Sequence, residues 1–390
     1  MKRFAITFLL SLLCIMLLAA CGGAAVDYEP QEALEEHYEE YEEYEEYEEG
    51  PTEPETFDPS IINAHETPHG EIAVGHIKFM NDNLYARTPF TYREKEAALW
   101  IAEELLAMGF APEDIQIQEF SKNDILQFSW WSLVQLTERA QDWARGFDGN
   151  EVRDLSQNII LTIPGQSEQK IIVGAHYDTP PYPGASDNAS GTALLLESAW
   201  RMRDADNYYT IVYVFFGAEE VGLPGAHFYL NSLSRQQRNS IVMMINADVL
   251  FEGPYFIYGA GYSYTSVRVE YRFNHISRQV NAISQRLRDA YGIQLTTFPD
   301  AIFLPSDQLP FLWAGHTVVS LTGLYRKPAD NFVPIGIVFE HGDYILTGRV
   351  LHSYKDCVHY INAAWPGKID EAMGTFSLFL EEMLLAQYTE

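Results

Sequence analysis

Three cysteines in 390 residues, Cys14, Cys21 and Cys357, are too few for a fold stapled by several disulfides. Positive charge is also scarce, with 25 Lys and Arg against 55 Asp and Glu and a net charge of −30. Sequence-independent nucleic-acid binding sets Lys and Arg against phosphates, so no nucleic-acid partner is expected. The apolar run Phe4 to Leu18 falls short of the roughly 20 residues that span a bilayer. What is present, 47% hydrophobic and 14% aromatic residues, suffices to bury a large core.

The basic start Met1 to Arg3, the apolar run and the small residues of Leu18-Ala19-Ala20-Cys21 follow the grammar of a secretion signal. Leu-Ala-Ala-Cys also resembles the bacterial lipoprotein signal. That resemblance implies cleavage after residue 20, a lipid on Cys21 and an extracytoplasmic protein held at a membrane. Cys357 is then the one cysteine of the mature chain outside the anchor, and no internal disulfide can form. Residues 21–64 read as anchor and linker. Asp27 to Asp58 holds 16 Asp or Glu and no Lys or Arg, with Tyr-Glu-Glu repeated from Tyr38 to Glu49. Such like charge favours an extended, solvated tether. The remaining charge of −14 keeps the rest of the chain acidic as well.

Residues 65–390 read as one catalytic domain. Apolar spacing predicts a helix over Glu94 to Met108 that ends at Gly109. Ile115 to Glu119 alternates as a half-exposed strand. Asn158 to Ile163, Lys170 to Ala175, Thr210 to Phe216 and Ser240 to Asn246 are Ile- and Val-rich runs expected to be buried strands. Helices are expected at Ser190 to Met202, Gly225 to Leu233, Asn274 to Tyr291 and Ile369 to Leu385. The alternation argues for an α/β fold with a central, mostly parallel mixed sheet sandwiched by helices. Ligands of such sheets gather beyond the carboxyl ends of the strands, where His176, Glu219 and Asp248 fall.

These residues admit both plain and chemical readings. His176 and Asp178 are a surface pair at a strand end, or a metal-binding imidazole whose other ring N–H is taken by the Asp178 carboxylate. Asp187 caps the helix behind it, or bridges two metals; the small Gly184, Ala189, Ser190 and Gly191 would let backbone crowd against something bound there. Glu219 and Glu220 form a solvated turn, or divide into a free general base and a metal ligand. Asp248 is a turn aspartate or a ligand. His352 competes with His316, His341 and His359, and is preferred partly because Asp356 follows it as a helix start.

In order, His-x-Asp (His176 to Asp178), Asp-Asn-Ala-Ser-Gly (Asp187 to Gly191), Glu-Glu-Val-Gly-Leu-Pro-Gly (Glu219 to Gly225), Asn-Ala-Asp (Asn246 to Asp248) and His-Ser-Tyr-Lys-Asp (His352 to Asp356) resemble one family. It is that of the co-catalytic di-zinc aminopeptidases, of the aminopeptidase Y and bacterial leucyl aminopeptidase kind, which also includes glutamate carboxypeptidase and glutaminyl cyclase. The resemblance runs from about Gly70 to the C-terminus. It implies a zinc-exopeptidase fold, peptide substrates and two Zn(2+) per chain. His176 and Asp248 would hold one ion and Glu220 and His352 the other, with Asp187 bridging, Glu219 as base to a bridging hydroxide, and Asp178 supporting His176. Ser306 to Phe311 resembles the family loop Ser-Asp-His-x-Pro-Phe beside the substrate pocket, with Gln308 replacing its histidine. Phe303 stands where some relatives carry a carbonyl-polarising tyrosine, and that role is not carried over.

The expected function is removal of N-terminal residues from peptides. Glutaminyl cyclisation or carboxypeptidase action on the same scaffold is the enzymatic alternative, and a non-catalytic binding lipoprotein the other.

Overall fold

A computed structural model describes residues 67–121, 124, 151–253, 255–262, 272–297, 305–324 and 350–388. The signal at 1–20 and the linker at 21–64, with Cys21 and the Tyr-Glu-Glu repeat, lie outside the described residues, as do Phe303 and His341.

Two helices come first, α1 (Glu71–Asn83) and α2 (Tyr92–Ala107). Thr91 caps α2 by accepting the Glu94 N–H, while the Glu94 carboxylate reaches back to the Phe90 N–H. Strands β1 (Ile115–Ser121), β2 (Leu155–Ile163) and β3 (Ser167–His176) lead to helix α3 (Ser190–Met202) and strand β4 (Tyr209–Phe216). Helices α4 (Pro224–Ser232) and α5 (Arg235–Asn239) precede strands β5 (Ile241–Ala247) and β6 (Tyr255–Tyr262). The chain continues through α6 (His275–Tyr291), β7 (Leu295–Thr297), α7 (Gln308–Trp313), β8 (Thr317–Leu324), α8 (Val358–Ala364) and α9 (Lys368–Leu385).

The strands form one sheet in the order β1-β2-β4-β3-β5-β8-β6-β7. The run β4-β3-β5-β8 is parallel throughout, as the α/β alternation predicts. Strand β2, read with the buried strands, runs antiparallel to β4 and turns the β1 edge over. At the other side β6 is antiparallel to β8 and parallel to β7. Sequence patterning anticipated none of α1, β6, β7 and β8, and α2 starts two residues before its expected first residue, Glu94.

Alternation along the strands splits the core between two faces. Ile172, Val212, Val214, Phe216 and Met244 pack with Tyr229 and Leu230 of α4 and Phe311 and Leu312 of α7. Ile171, Val173, Tyr213, Phe215 and Ile245 are equally buried and turn to the face on which α3 lies. Helices α1, α2 and α9 pack on α3. Each such side chain contributes about 1.5–3 kcal/mol on burial.

A buried charge ties the domain's first turn to this layer. Glu197, in the middle of α3 and fully buried, accepts hydrogen bonds from the Gly70 and Ala73 N–H groups, each 2.8 Å. Its carboxylate also takes Arg201 Nε at 2.8 Å and Ser377 Oγ at 2.6 Å. It thereby satisfies the free amides at the start of α1. Gly70 itself has φ 90°, and a Cβ there would lie 2.4 Å from the Gly374 nitrogen, so α1 meets α9 backbone to backbone. Glu197→Ala takes the carboxylate from the Arg201 guanidinium, which keeps the Thr67 and Pro68 carbonyls, and strands two buried amides. Denaturant unfolding of the variant is expected to show a loss of about 3–5 kcal/mol; a loss below about 1 kcal/mol would mean that water replaces the carboxylate.

Candidate metal centre

The carboxyl ends of β4, β3 and β5, neighbours in the sheet, deliver Glu219 and Glu220, His176 and Asp248 to one edge. The loop between β3 and α3 adds Asp187, and the turn before α8 adds His352. Three three-residue groups result, His176–Asp187–Asp248, Asp187–Glu220–His352 and His176–Glu219–Glu220, each with donor atoms within 4.8 Å of one another. Asp187 belongs to the first two, the candidate ion sites, while the third ties the glutamate pair to His176. The Asp187 Oδ1 lies 3.3 Å from His176 Nε2 and its Oδ2 lies 3.0 Å from His352 Nε2. His176 Nε2 is also 3.2 Å from Asp248 Oδ1, and His352 Nε2 is 3.1 Å from Glu220 Oε2.

These separations suit zinc. Donors about 2.0–2.2 Å from a tetrahedral ion stand about 3.3–3.6 Å apart, close to the spacing seen. One imidazole and two carboxylates on each side form a nitrogen–oxygen set that leaves a coordination position open, the arrangement of catalytic rather than structural zinc. Glu220 Oε1 is buried with no hydrogen-bond partner, as a donor awaiting a cation would be.

Local structure explains how these side chains are freed and aimed. Asn188, not Asp187, turns to the start of α3: its Oδ1 accepts the Gly191 N–H at 2.8 Å and its Nδ2 donates to the Ala247 carbonyl. The cap reading of Asp187 therefore falls away. The peptide bond between Asp187 and Asn188 is cis. The small residues expected to crowd a bound group crowd protein instead. A Cβ on Gly191 would lie 2.3 Å from the Ala247 carbonyl oxygen, and one on Gly184 2.4 Å from Thr179 Oγ1.

Asp178 also differs from its expected geometry. The His176 Nδ1 faces the Asp178 backbone carbonyl at 3.1 Å, while the carboxylate stands 3.6 Å away. That carboxylate accepts the N–H groups of Glu219 at 2.9 Å and Glu220 at 3.2 Å. It holds the glutamate pair more directly than the histidine. Ala218 and Leu223, both at positive φ, fold this pair into a single tight turn after β4.

Among the rival histidines, His316 precedes β8 and so sits at the amino end of a parallel strand, and His359 on α8 joins none of these groups. Asp356 does not start a helix. Cys357 caps α8, and the buried Asp356 carboxylate instead accepts the Ser186 and Asp187 N–H groups at 2.6 and 2.9 Å. Gln308, in place of the family histidine, accepts from Asn246 Nδ2 at 3.0 Å, which also reaches Ser306 Oγ.

Charge crowding sets the titration of the group. Burial lowers the His176 imidazole, but Glu219, Asp248, Asp178 and Asp187 outweigh it and hold the ring well above its ordinary value. His352 is likewise lowered by burial and raised further by Glu220 and Asp187. Burial raises Glu219 well above a normal carboxyl, against the pull of His176 and with the push of Glu220 and Asp307. Glu220 is pushed up to about 7, chiefly by burial, with Asp187 adding to it and His352 opposing. Asp187 ends below its ordinary value: burial raises it, and the two histidines more than reverse that. Sequence reading had not singled out Glu252 or Asp307 as acids of the group. Both are fully buried with neither oxygen hydrogen-bonded, and burial raises both.

The model for peptidase family M28 matches residues 158–377. Aminopeptidase YwaD of Bacillus subtilis is 38% identical over 173 residues, covering 41% of this chain and 36% of YwaD. A probable lipoprotein aminopeptidase, LpqL of Mycobacterium tuberculosis, is 37% identical over 98 residues, 24% of this chain and 20% of its own. The chain thus matches about a third or less of the length of these relatives. In fold it resembles BSAP, a zinc aminopeptidase from Bacillus subtilis, with TM-score 0.58 and 16% identity over 83% of this chain and 97% of that one. A glutaminyl cyclase of Tannerella forsythia superposes with TM-score 0.52 and 17% identity, over 82% and 99%.

The titration pattern predicts how the metal-free protein responds to pH. Glu220 and Asp356, both raised to about 7 by burial, and the two raised histidines bind protons more tightly folded than unfolded. Stability therefore falls as pH rises. The carboxyl contribution, full below about 4, fades by about 7, and the imidazole contribution fades above about 6.5. Asp187 acts oppositely, but only below its ordinary value of 3.8. The melting temperature of chelator-treated protein should drop between about pH 5 and about pH 8, with zinc restoring more at the upper end. Equal melting at both ends would show that the cluster is relaxed without metal.

Proposed function

The chain belongs to peptidase family M28, and from that membership we propose that it is an aminopeptidase that hydrolyses N-terminal residues from peptides with two zinc ions. The observation that carries this reading is Asp187, which offers one carboxylate oxygen to each histidine-centred group. His176 and Asp248 would hold one ion and Glu220 and His352 the other. Zinc, when bound, supplies Lewis acidity toward the scissile carbonyl and lowers the pKa of a water to about 7.

The chain's own groups do the rest. Glu219 takes the proton of the attacking water on its carboxylate and returns it to the leaving amine nitrogen. A carboxyl raised by burial suits a group that must accept and release a proton near neutrality. Asp178 fixes where Glu219 and Glu220 leave the backbone by accepting both of their N–H groups. Likeness to relatives named as aminopeptidases, YwaD and LpqL, ranks this activity above carboxypeptidase action. A lipid on Cys21 would hold the enzyme outside the cytoplasm, a reading supported by the signal-like start and by the likeness to a probable lipoprotein aminopeptidase.

A panel of chromogenic amino-acid amides, with N-acetylated counterparts, tests the activity. Hydrolysis of the free amides alone is expected, lost on chelation and restored by zinc. Glu219→Gln should lower kcat by about 100- to 10,000-fold with zinc content unchanged. Full activity in that variant removes Glu219 as base, and pyroglutamate formation from N-terminal glutamine would make the protein a glutaminyl cyclase instead. Labelled palmitate should enter the full-length chain expressed in a bacterium and be absent from Cys21→Ser; equal labelling of both would refute the anchor.

A further inference from the structure

Arg87 is the buried cation behind the acidic edge, and the function above gives it no task. Its side chain is fully buried. Nε donates to the Tyr177 carbonyl at 2.6 Å, Nη1 to the Leu84 and Pro183 carbonyls at 2.8 and 3.0 Å, and Nη2 to the Gly184 carbonyl at 3.0 Å. Every partner is backbone, and among the described residues no carboxylate makes an ion pair with it. Taking a guanidinium out of water to bond only neutral carbonyls is costly. Burial lowers the guanidinium to about 10, and the field of Asp356, Asp178, Asp187 and Glu220 offsets part of that cost.

Three of the four carbonyls it grips belong to one loop, and the fourth, Leu84, ends α1. Tyr177 follows His176 directly, and Pro183 and Gly184 lead into Asp187. Asp356 seizes the same loop from the other direction. Its carboxylate accepts the Ser186 and Asp187 N–H groups, and its backbone carbonyl accepts the Ala185 N–H at 3.0 Å. Carbonyls 183 and 184 are thus held by a cation and amides 185, 186 and 187 by Asp356. The two grips come from opposite ends of the domain. Arg87 lies between α1 and α2, and Asp356 closes the turn that carries His352, its N–H bonded to the Ser353 carbonyl.

We propose that Arg87 and Asp356 are positioning residues that clamp the loop from Pro183 to Asp187, presetting the Asp187 carboxylate for both metal ions at once. The proposal rests on the di-zinc reading of the site. Because Asp187 serves both groups, loosening its loop weakens both ions together, whereas replacing His176 or His352 removes a ligand from one group. Arg87→Lys keeps the charge but cannot span four carbonyls, since an ammonium has three donors on one atom. Asp356→Asn keeps the shape and exchanges one acceptor oxygen for a donor.

The test is chelator-competition titration of the full chain with zinc, paired with the visible absorption of the cobalt(II)-substituted protein. Wild type is expected to take two ions. Arg87→Lys and Asp356→Asn should each bind both ions about 10- to 100-fold more weakly, with altered cobalt absorption at both sites. The double variant should lose less than the product of the single losses, because both residues act on one loop. Wild-type affinity and absorption in either folded variant overturn the proposal, and so does loss confined to one ion. If Arg87→Lys does not fold, the near-isosteric Asp356→Asn decides by the same two criteria. A wild type that takes fewer than two ions is a different failure, since it removes the di-zinc reading itself.

Discussion

Like charges repel at close range, and the carboxyl edge of the central sheet is where this chain confronts that fact. Asp187 stands within a few ångströms of both imidazoles and of Glu220 and Asp248, with Glu219 joining through His176 and Glu220. Buried carboxylates cannot all ionise there without cations. The surrounding structure answers this constraint in several ways. Each histidine sits between two carboxylates. Glu219 and Glu220 are shifted toward their neutral forms. The Asp178 and Asp356 carboxylates are each held by two backbone N–H groups.

Such an arrangement needs a scaffold that holds against the repulsion. Three adjacent parallel strands, packed on both faces, fix the take-off points of His176, Glu219 and Asp248. The loop that carries Asp187 lies outside this ladder and is held by side chains instead, with Asn188 fastening it to the end of β5. Hydrogen bonds from buried polar groups thus do for the loop what the ladder does for the strands. In a domain with one cysteine among its described residues, no disulfide shares that task.

The fold was legible wherever burial left a simple mark. Strands β2 to β5 are near-continuous Ile and Val runs because both of their faces are covered, and α6 and α9 show the helical period of one buried side, whereas α3 is buried all round. Strand β6 carries Gly259 and Gly261, and β7 is only three residues long, so neither leaves a pattern to read. Helix α1 was hidden because its anchor is Glu197, far along the chain, rather than a cap of its own. Site residues were legible as types at strand ends, and the structure brings His176, Asp187, Glu219, Glu220, Asp248 and His352 together. Their supports were not. Whether Asp178 turns to a ring or to two amides, and whether Asp356 begins a helix or holds a distant loop, depends on tertiary proximity that spacing does not encode.

His352 enters the cluster from the far end of the chain, and this orders events in time. Chains emerge amino terminus first. His176, Asp187 and Asp248, with β3, β4 and β5 to carry them, are all made before the last third of the sequence exists. All three residues of the group centred on His176 therefore exist while the one centred on His352 still lacks its imidazole. The turn before α8 then brings that imidazole together with Asp356, whose carboxylate holds the Asp187 loop that both groups share.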